Sequence, residues 1–547
     1  MKMMRNLMTS TCHWVTRVFT IMTSWNRYSD DEDTSYKIRR SATKLLAAVI
    51  NTRPELLTTL YKTVSPVLIS RFGDREVTVR LEVWGTYVIL LNQTAVYGGL
   101  PKNKDDHTPR GKRKRDTDEA MDFEDGPYVS LKTQVPTLSK ALLNQLKSAK
   151  TPPATLQAGF SLLHALLTVL PGSLSTQVSL IFSTSKTILS QSPTTSTSTL
   201  HLTCLSFLAL FFSTHAPPTF SGSLSSLTPP LLKSLGERHP RVASETFRVF
   251  SSLLNAIKPV KGADWVEPVY GQAVSKLSSH DTDAEVRICA EECIADLWIC
   301  ATDVVRSKEG KEWEAICRTS GKTDGAVKVV TKVAKEVTVN DVWVNGCVEW
   351  LLTLLKKSGR QGKLEMFAAL DVLLRRCVRS SCSSWLSTDS ARFSYTSGIP
   401  LGLAPALISQ IKPYISISDI SRLSQSLTIF ALLLTLAPRT TFPQVEKDLL
   451  SDIYDIAHSP LLSNAALESL LNFFAALVQA DDQIATHVVP NLVIAVEKAP
   501  KAEANPANVA KCIAQVIKNQ SSLAAGTIAE YSKNLKVATV ACDTTQT

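Results

Sequence analysis

Residues 33–51, DTSYKIRRSATKLLAAVIN, decide the fold. Ile38, Ala42, Leu45, Leu46 and Val49 recur at the three- and four-residue steps that gather side chains on one face of a helix. Lys37, Arg40 and Lys44 lie off that stripe, so one face is expected to be buried and the other wet. Asp33 stands five residues before Ile38 and Arg39, and the same spacing joins Asp74 to Val79-Arg80 and Asp281 to Val286-Arg287. The first two aspartates are 41 residues apart and the third lies 207 further on, close to five periods of that length. A repeat of about 40–47 residues is the length of a HEAT-type helix pair.

An aspartate in such a turn can cap exposed helix N–H groups and lie near an arginine one turn into the helix. Stacked repeats would set the pairs Asp33/Arg39, Asp74/Arg80 and Asp281/Arg287 in a ladder. The alternative is ordinary solvated charge at helix starts. On either reading these residues are structural.

Stripes of the same kind run through 79–91, 156–170, 242–257, 286–298, 364–378, 423–436 and 465–478, separated by short breaks carrying Pro, Gly, Asp or Ser. None has the heptad regularity of a coiled coil. Residues 327–339 are rich in valine, but Lys328, Lys332 and Lys335 fit a helix with one polar side. Residues 380–397 read as a loop between repeats. The fold class expected is all-α, a HEAT/armadillo-type α-solenoid of stacked antiparallel helix pairs.

Composition agrees with a folded, core-forming chain. Of 547 residues, 44% are hydrophobic and only 21 are glycine, which disfavours Gly-rich sandwiches and dinucleotide folds. The 59 basic residues outnumber the 49 acidic ones for a net charge of +10, which permits an acidic partner without identifying one. Eleven cysteines are scattered without a pairing pattern, as reduced thiols are. Cys289, Cys293 and Cys300 are the closest set; lacking a CxxC or a nearby histidine pair, they read as core cysteines in preference to a zinc site. The longest apolar runs, near 207–212 and 429–434, fall far short of the roughly 20 residues a membrane helix needs.

No catalytic or cofactor motif is visible. Gly321-Lys322-Thr323 resembles the end of a phosphate loop, but Ile316 occupies the position that requires glycine. HExxH, GxSxG and GxGxxG patterns are absent, so no cofactor, metal or catalytic residue is expected.

One segment breaks the helical pattern. From Tyr97 to Pro127, a Gly98-Gly99-Leu100-Pro101 opening leads to a basic block, Lys112, Arg113, Lys114 and Arg115, followed by Asp116, Asp118, Glu119, Asp122, Glu124 and Asp125. The basic block reads first as a nuclear import signal that meets an importin, next as a solvated charge run, and last as a nucleic-acid contact. Met1 to Asn26 has Lys2, Arg5 and Arg17 and no acid, like a mitochondrial presequence, but His13 and Arg17 interrupt its apolar run; a disordered or mis-annotated leader is the favoured reading.

Several stretches resemble the cullin-associated, neddylation-dissociated (CAND) family of HEAT-repeat proteins. The strongest is YKTVSPVLISRFGDR, residues 61–75. DDEDTSYKIRRSATKLL (30–46), ASETFRVFSSLLNAIKP (243–259) and SPLLSNAALESLLNFFAALV (459–478) follow the family's order. The resemblance covers roughly 29–519 and corresponds to the middle of the family's array. It implies a non-enzymatic scaffold that wraps an unneddylated cullin–RING core and promotes exchange of adaptor and substrate-receptor modules, in nucleus and cytoplasm. It transfers no binding residue, because the family's best-defined contacts lie in other repeats. A separate chain supplying further repeats would be a second partner, and exposed repeat ends would leave the chain prone to association. A nuclear transport or transcription-associated scaffold is the alternative function.

The organisation expected is therefore a leader unlike the family at 1–28, HEAT repeats at 29–96, the charged insertion at 97–127, HEAT repeats at 128–531, and an end unlike the family at 532–547.

Overall fold

The computed structural model describes residues 35–98, 126–148, 151–279, 281–301, 305, 325–336, 341–383, 403–462, 464–481, 483–498 and 505–520. Among these it holds 22 α-helices and no strand, so the fold is the all-α HEAT-type solenoid the periodicity predicts. The chain divides into two compact units, Met1–Glu309 and Gly310–Thr547.

In the first unit, α1 (Ser35–Thr52) is followed by the short helices α2 (Leu57–Thr63) and α3 (Ser65–Ser70), and then by α4 (Val77–Tyr97) and α5 (Pro127–Leu146). The succeeding helices are α6 (Pro153–Val169), α7 (Val178–Leu189), α8 (Ser198–Thr214), α9 (Pro217–Leu235), α10 (Pro240–Ile257), α11 (Val266–Ser278) and α12 (Ala284–Cys300). Alternate helices pack side by side: α1, α4, α6, α8, α10 and α12 form one layer, and the helices between them form the other. Each repeat is thus a pair, one helix from each layer.

The second unit is built the same way. Its first layer is α13 (Gly325–Glu336), α15 (Arg360–Ser383), α17 (Ile420–Leu436), α20 (Asn464–Ala480) and α22 (Pro506–Asn519). Its second is α14 (Asp341–Leu355), α16 (Leu403–Ile411), the broken pair α18 (Pro438–Asp448) and α19 (Leu450–Ala457), and α21 (Ala485–Lys498).

The period read from the sequence reappears as the separation of residues bonded across neighbouring repeats. Arg40 pairs with Glu82, Gln93 Nε2 donates to Asn51 Oδ1 at 3.0 Å, and Asn255 Nδ2 donates to Asp296 Oδ1 at 3.0 Å, over 42, 42 and 41 residues. In the second unit Arg376 Nε donates to the Ala334 carbonyl at 2.7 Å, again 42 residues away. One repeat length therefore brings equivalent helix positions side by side.

The cores fill by aromatic and aliphatic interlocking between layers. Phe160 meets Phe207 across two repeats at 5.4 Å between ring centres, while Phe212 meets Phe220 at 5.0 Å across the two layers. The stretch 61–75 is core: Tyr61 and Phe72 are fully buried, and Phe72 packs edge-on against Trp84 and Tyr87. Tyr61 OH and Thr94 Oγ1 lie 2.8 Å apart, so the buried phenol is satisfied.

Two sequence expectations need adjustment. The buried face of α1 is Arg39, Thr43, Leu46 and Ile50, whereas Ile38 and Leu45 are 48% and 46% exposed. The apolar stripe is therefore fully covered inside the unit only at Leu46, with Ala42 and Val49 half-buried; the covered face accommodates a buried arginine because a carboxylate from the next repeat meets it. Second, α15 continues to Ser383 into the stretch read as a loop from 380. Helix α13 covers most of the valine-rich segment, as its lysine spacing predicts. No described helix is long and apolar enough to cross a membrane.

Candidate protein-binding face

In the first unit the outward side of the first-layer helices α6, α8, α10 and α12 is polar and shallowly furrowed. The reason is sequence spacing: Arg241, Glu245, Arg248 and Ser252 lie on one face of α10, and Glu285, Cys289, Glu292 and Asp296 on one face of α12. Their neighbours in sequence, such as Phe247, Phe250 and Ile294, point into the core.

Two depressions of about 410 Å³ each lie along this face. His164 of α6, Thr203 and Ser206 of α8, Arg241, Glu245 and Glu285 line the first. Leu210 and Ser213 of α8, Arg248, Cys289, Glu292 and Asp296 line the second. A charge network stitches them together: Arg248 pairs with Glu245 on its own helix and donates from Nη2 to Glu285 of the next repeat at 3.1 Å.

Burial sets the electrostatics of these linings. Burial lowers the pKa of His164, so the imidazole is neutral at physiological pH. Burial pushes the Cys289 thiol up, against the opposing pull of Arg248, so the sulfur is held as a thiol and not as the nucleophilic thiolate. Both groups also line different depressions, and no nucleophile–base pair is formed between them.

The sequence-derived positions fall as follows. Asp33 and the basic block Lys112, Arg113, Lys114 and Arg115 lie outside the described residues. Asp74 is buried and meets Arg39 of the preceding repeat, Oδ2 to Nε and Oδ1 to Nη2 both at 3.2 Å. Its Oδ1 also accepts from the Glu76 N–H at 3.0 Å in the turn that opens α4. Arg80 instead donates to Gln145 Oε1 of α5 at 3.0 Å. Asp281 is exposed, and Asp283 is the residue that caps α12, accepting from the Glu285 N–H at 2.9 Å. Arg287 is buried and donates to the carbonyls of Leu277 and Ser279 at 3.1 and 3.0 Å, closing the end of α11. The shared spacing thus hosts two devices: an ion-pair rung between repeats at Asp74, and a helix-end clamp at Arg287. Cys289, Cys293 and Cys300 are all buried.

Sequence reading did not single out the Glu245–Arg248–Glu285 network or a second rung in the other unit, where Asp419 takes Arg360 at 3.1 Å and Arg422 at 2.6 Å. An Asp three residues before an Arg at a helix start signals the local half of that rung. The cross-repeat half has no local signal.

Known proteins share both sequence and architecture with this chain. The family model described as "CAND1-like, TPR repeats" matches residues 172–294, which carry α7 to α11 and the first part of α12. The first-layer helices there begin 42 and 44 residues apart, a HEAT-length interval. The cullin-associated NEDD8-dissociated protein 1 of Arabidopsis thaliana is 29% identical over 89% of this chain and 38% of the relative. The corresponding protein 2 of Mus musculus is 27% identical over 82% of this chain and 34% of the relative. A protein from Emericella nidulans described as the C-terminal part of cullin-associated NEDD8-dissociated protein 1 is 25% identical over 81% of this chain and 47% of its own length. The chain spans a little over a third of the length of the first two relatives. Among solved structures, importin beta superposes on 92% of the chain with a TM-score of 0.52 at 14% identity, and a Kap121p mutant does so with 0.50 at 12%. At that identity the likeness is one of fold. The family resemblance read from residues 30–46, 61–75, 243–259 and 459–478 is borne out over most of the chain.

Proposed function

Proceeding from a chain that resembles the CAND proteins over most of its length, we propose that it is a non-enzymatic scaffold of cullin–RING ligase assembly, binding a cullin that lacks its ubiquitin-like modifier and promoting exchange of adaptor and substrate-receptor modules. The observation that carries this reading is the 27–29% identity extending over 82–89% of the chain to proteins named for association with cullins. The furrowed face supports it physically: stacked first-layer helices offer a broad polar surface with mixed charge, and such surfaces are how repeat proteins hold other proteins. The chain contributes part of the cullin-facing surface. Its place is nucleus and cytoplasm, with Lys112, Arg113, Lys114 and Arg115 engaging an importin. The transport-scaffold alternative draws only on that block and on a likeness of fold.

The test is co-precipitation of purified chain with cullin–RING complex, modified and unmodified, in the presence of any co-purifying repeat protein. Recovery of unmodified cullin with exclusion of the modified form is the expected result. Equal recovery of both, or of neither, overturns the reading.

A further inference from the structure

The second unit carries a concentration of cations on two consecutive turns that lead from its second layer back to its first. Lys356, Lys357 and Arg360 are exposed in and beside the turn 356–359, and Lys363 follows one helical step later. Arg422 comes from the neighbouring repeat, just after the turn 415–419. Shared contacts fix their proximity. Arg360 and Arg422 both reach Asp419, and Lys363 and Arg422 both lie over the Tyr414 ring, at 5.1 and 5.7 Å from its centre.

This arrangement is electrostatically unbalanced. Lys356 and Lys357 follow the end of α14, where the helix dipole favours positive charge. Arg360 and Lys363 occupy the first turn of α15, the end where it disfavours positive charge, and that turn contains no acid. Asp419 is the carboxylate that Arg360 and Arg422 share, and its closer bond, at 2.6 Å, goes to Arg422. Arg360 keeps its side chain 73% exposed while touching Asp419, so most of its five-donor fork faces water.

We propose that this basic turn cluster is a docking surface for an acidic segment of a protein partner. The cations come from two neighbouring turns joined through Asp419 and Tyr414, an arrangement that suits several carboxylates along an extended chain. Arg360 supplies a planar fork for one carboxylate, the lysines supply point charges for others, and Tyr414 holds Lys363 and Arg422 in place through its ring face. The proposal is independent of the cullin reading.

Fluorescence anisotropy of a labelled polyglutamate peptide against the full chain tests it, with a peptide of alternating Glu and Lys as the neutral comparison. Polyglutamate is expected to bind in preference to the neutral peptide and to weaken with added salt. The K357E/R360E variant should lose about tenfold in affinity. K356E/K357E, which leaves the Asp419 contacts intact, should also weaken binding. Equal binding of the two peptides, or unchanged affinity in both charge-reversed variants, overturns the proposal. So does an oligouridine RNA whose binding falls in those variants while polyglutamate binding does not, which would assign the row to nucleic acid.

Discussion

A buried guanidinium needs a carboxylate beside it, and Arg39 finds one in Asp74, 35 residues away in the next repeat. Both side chains are at least nine-tenths buried, so removing one partner strands the other's charge. Asp74→Ala should therefore destabilise the first repeats by about 3 kcal/mol, and Arg39→Met combined with Asp74→Leu should recover most of that loss. Urea unfolding of the two variants beside the parent chain checks it; equal losses in both would mean that the pair's charge is not what the fold depends on. The second rung responds to acid. Arg422, by hydrogen bond and then by charge together with Arg360, holds the Asp419 carboxyl below the usual carboxylate range, opposed by partial desolvation. A depressed pKa in the folded state contributes stability that is present above the unfolded value near 4 and is lost as pH falls through the folded one. Asp419→Asn should accordingly lower the melting temperature at pH 7, with the difference closing as the pH falls well below 4. A difference that persists unchanged in acid would show that Asp419 acts without its charge.

At the scale of the helix, the two layers carry different burdens. Prolines interior to a helix occur in α5, α9, α18 and α21, all second-layer elements, and each removes one backbone hydrogen bond. The last described helix packs through Val509, Cys512 and Val516, and a buried amide adds a polar tie: Asn508 donates from Nδ2 to the carbonyls of Ser459 and Leu462 at 3.3 and 2.9 Å. Asn508→Ala should cost about 1–3 kcal/mol, because two buried carbonyls lose their donor. Hydrogen exchange should show the loss as faster opening of α22 while α17 keeps its protection; uniform acceleration would contradict a local tie. Helices of this kind were legible in the sequence because the 3.6-residue period is a local property, and α13 was legible even through its valines because Lys328, Lys332 and Lys335 marked a wet side. The burial of Arg39 in α1 was not legible, since it depends on Asp74, which periodicity within one helix cannot see. The furrowed face was partly legible for the same reason. Residues 243–259 held Glu245 and Arg248 one turn apart, but Glu285, which completes the network, belongs to the next repeat.

Across repeats, equivalent positions show what the apolar stripe of α1 is for. Aligned on the aspartate spacing, Ile38, Ala42, Leu45 and Val49 correspond to Val79, Val83, Thr86 and Leu90 of α4, each at most 1% exposed. They correspond equally to Val286, Ala290, Cys293 and Leu297 of α12, each at most 3% exposed. The stripe is thus an inter-repeat face in register with the others, and in α1 Ile38 and Leu45 stand open. Solenoids cover such faces with a capping or neighbouring repeat, and an uncovered one drives association. Two adjacent leucines then separate packing from association. Leu46 is 4% exposed, and Leu46→Asp should destabilise by about 3 kcal/mol or more through burial of an unpaired carboxylate. Leu45 is 46% exposed, and Leu45→Glu together with Ile38→Glu should leave the melting temperature nearly unchanged. In sedimentation velocity that double variant should shift the chain toward the monomer and weaken recovery of any repeat protein that co-purifies with it. If instead it melts early while association is unaffected, the stripe belongs to the chain's own core, and the open face must be sought at another helix.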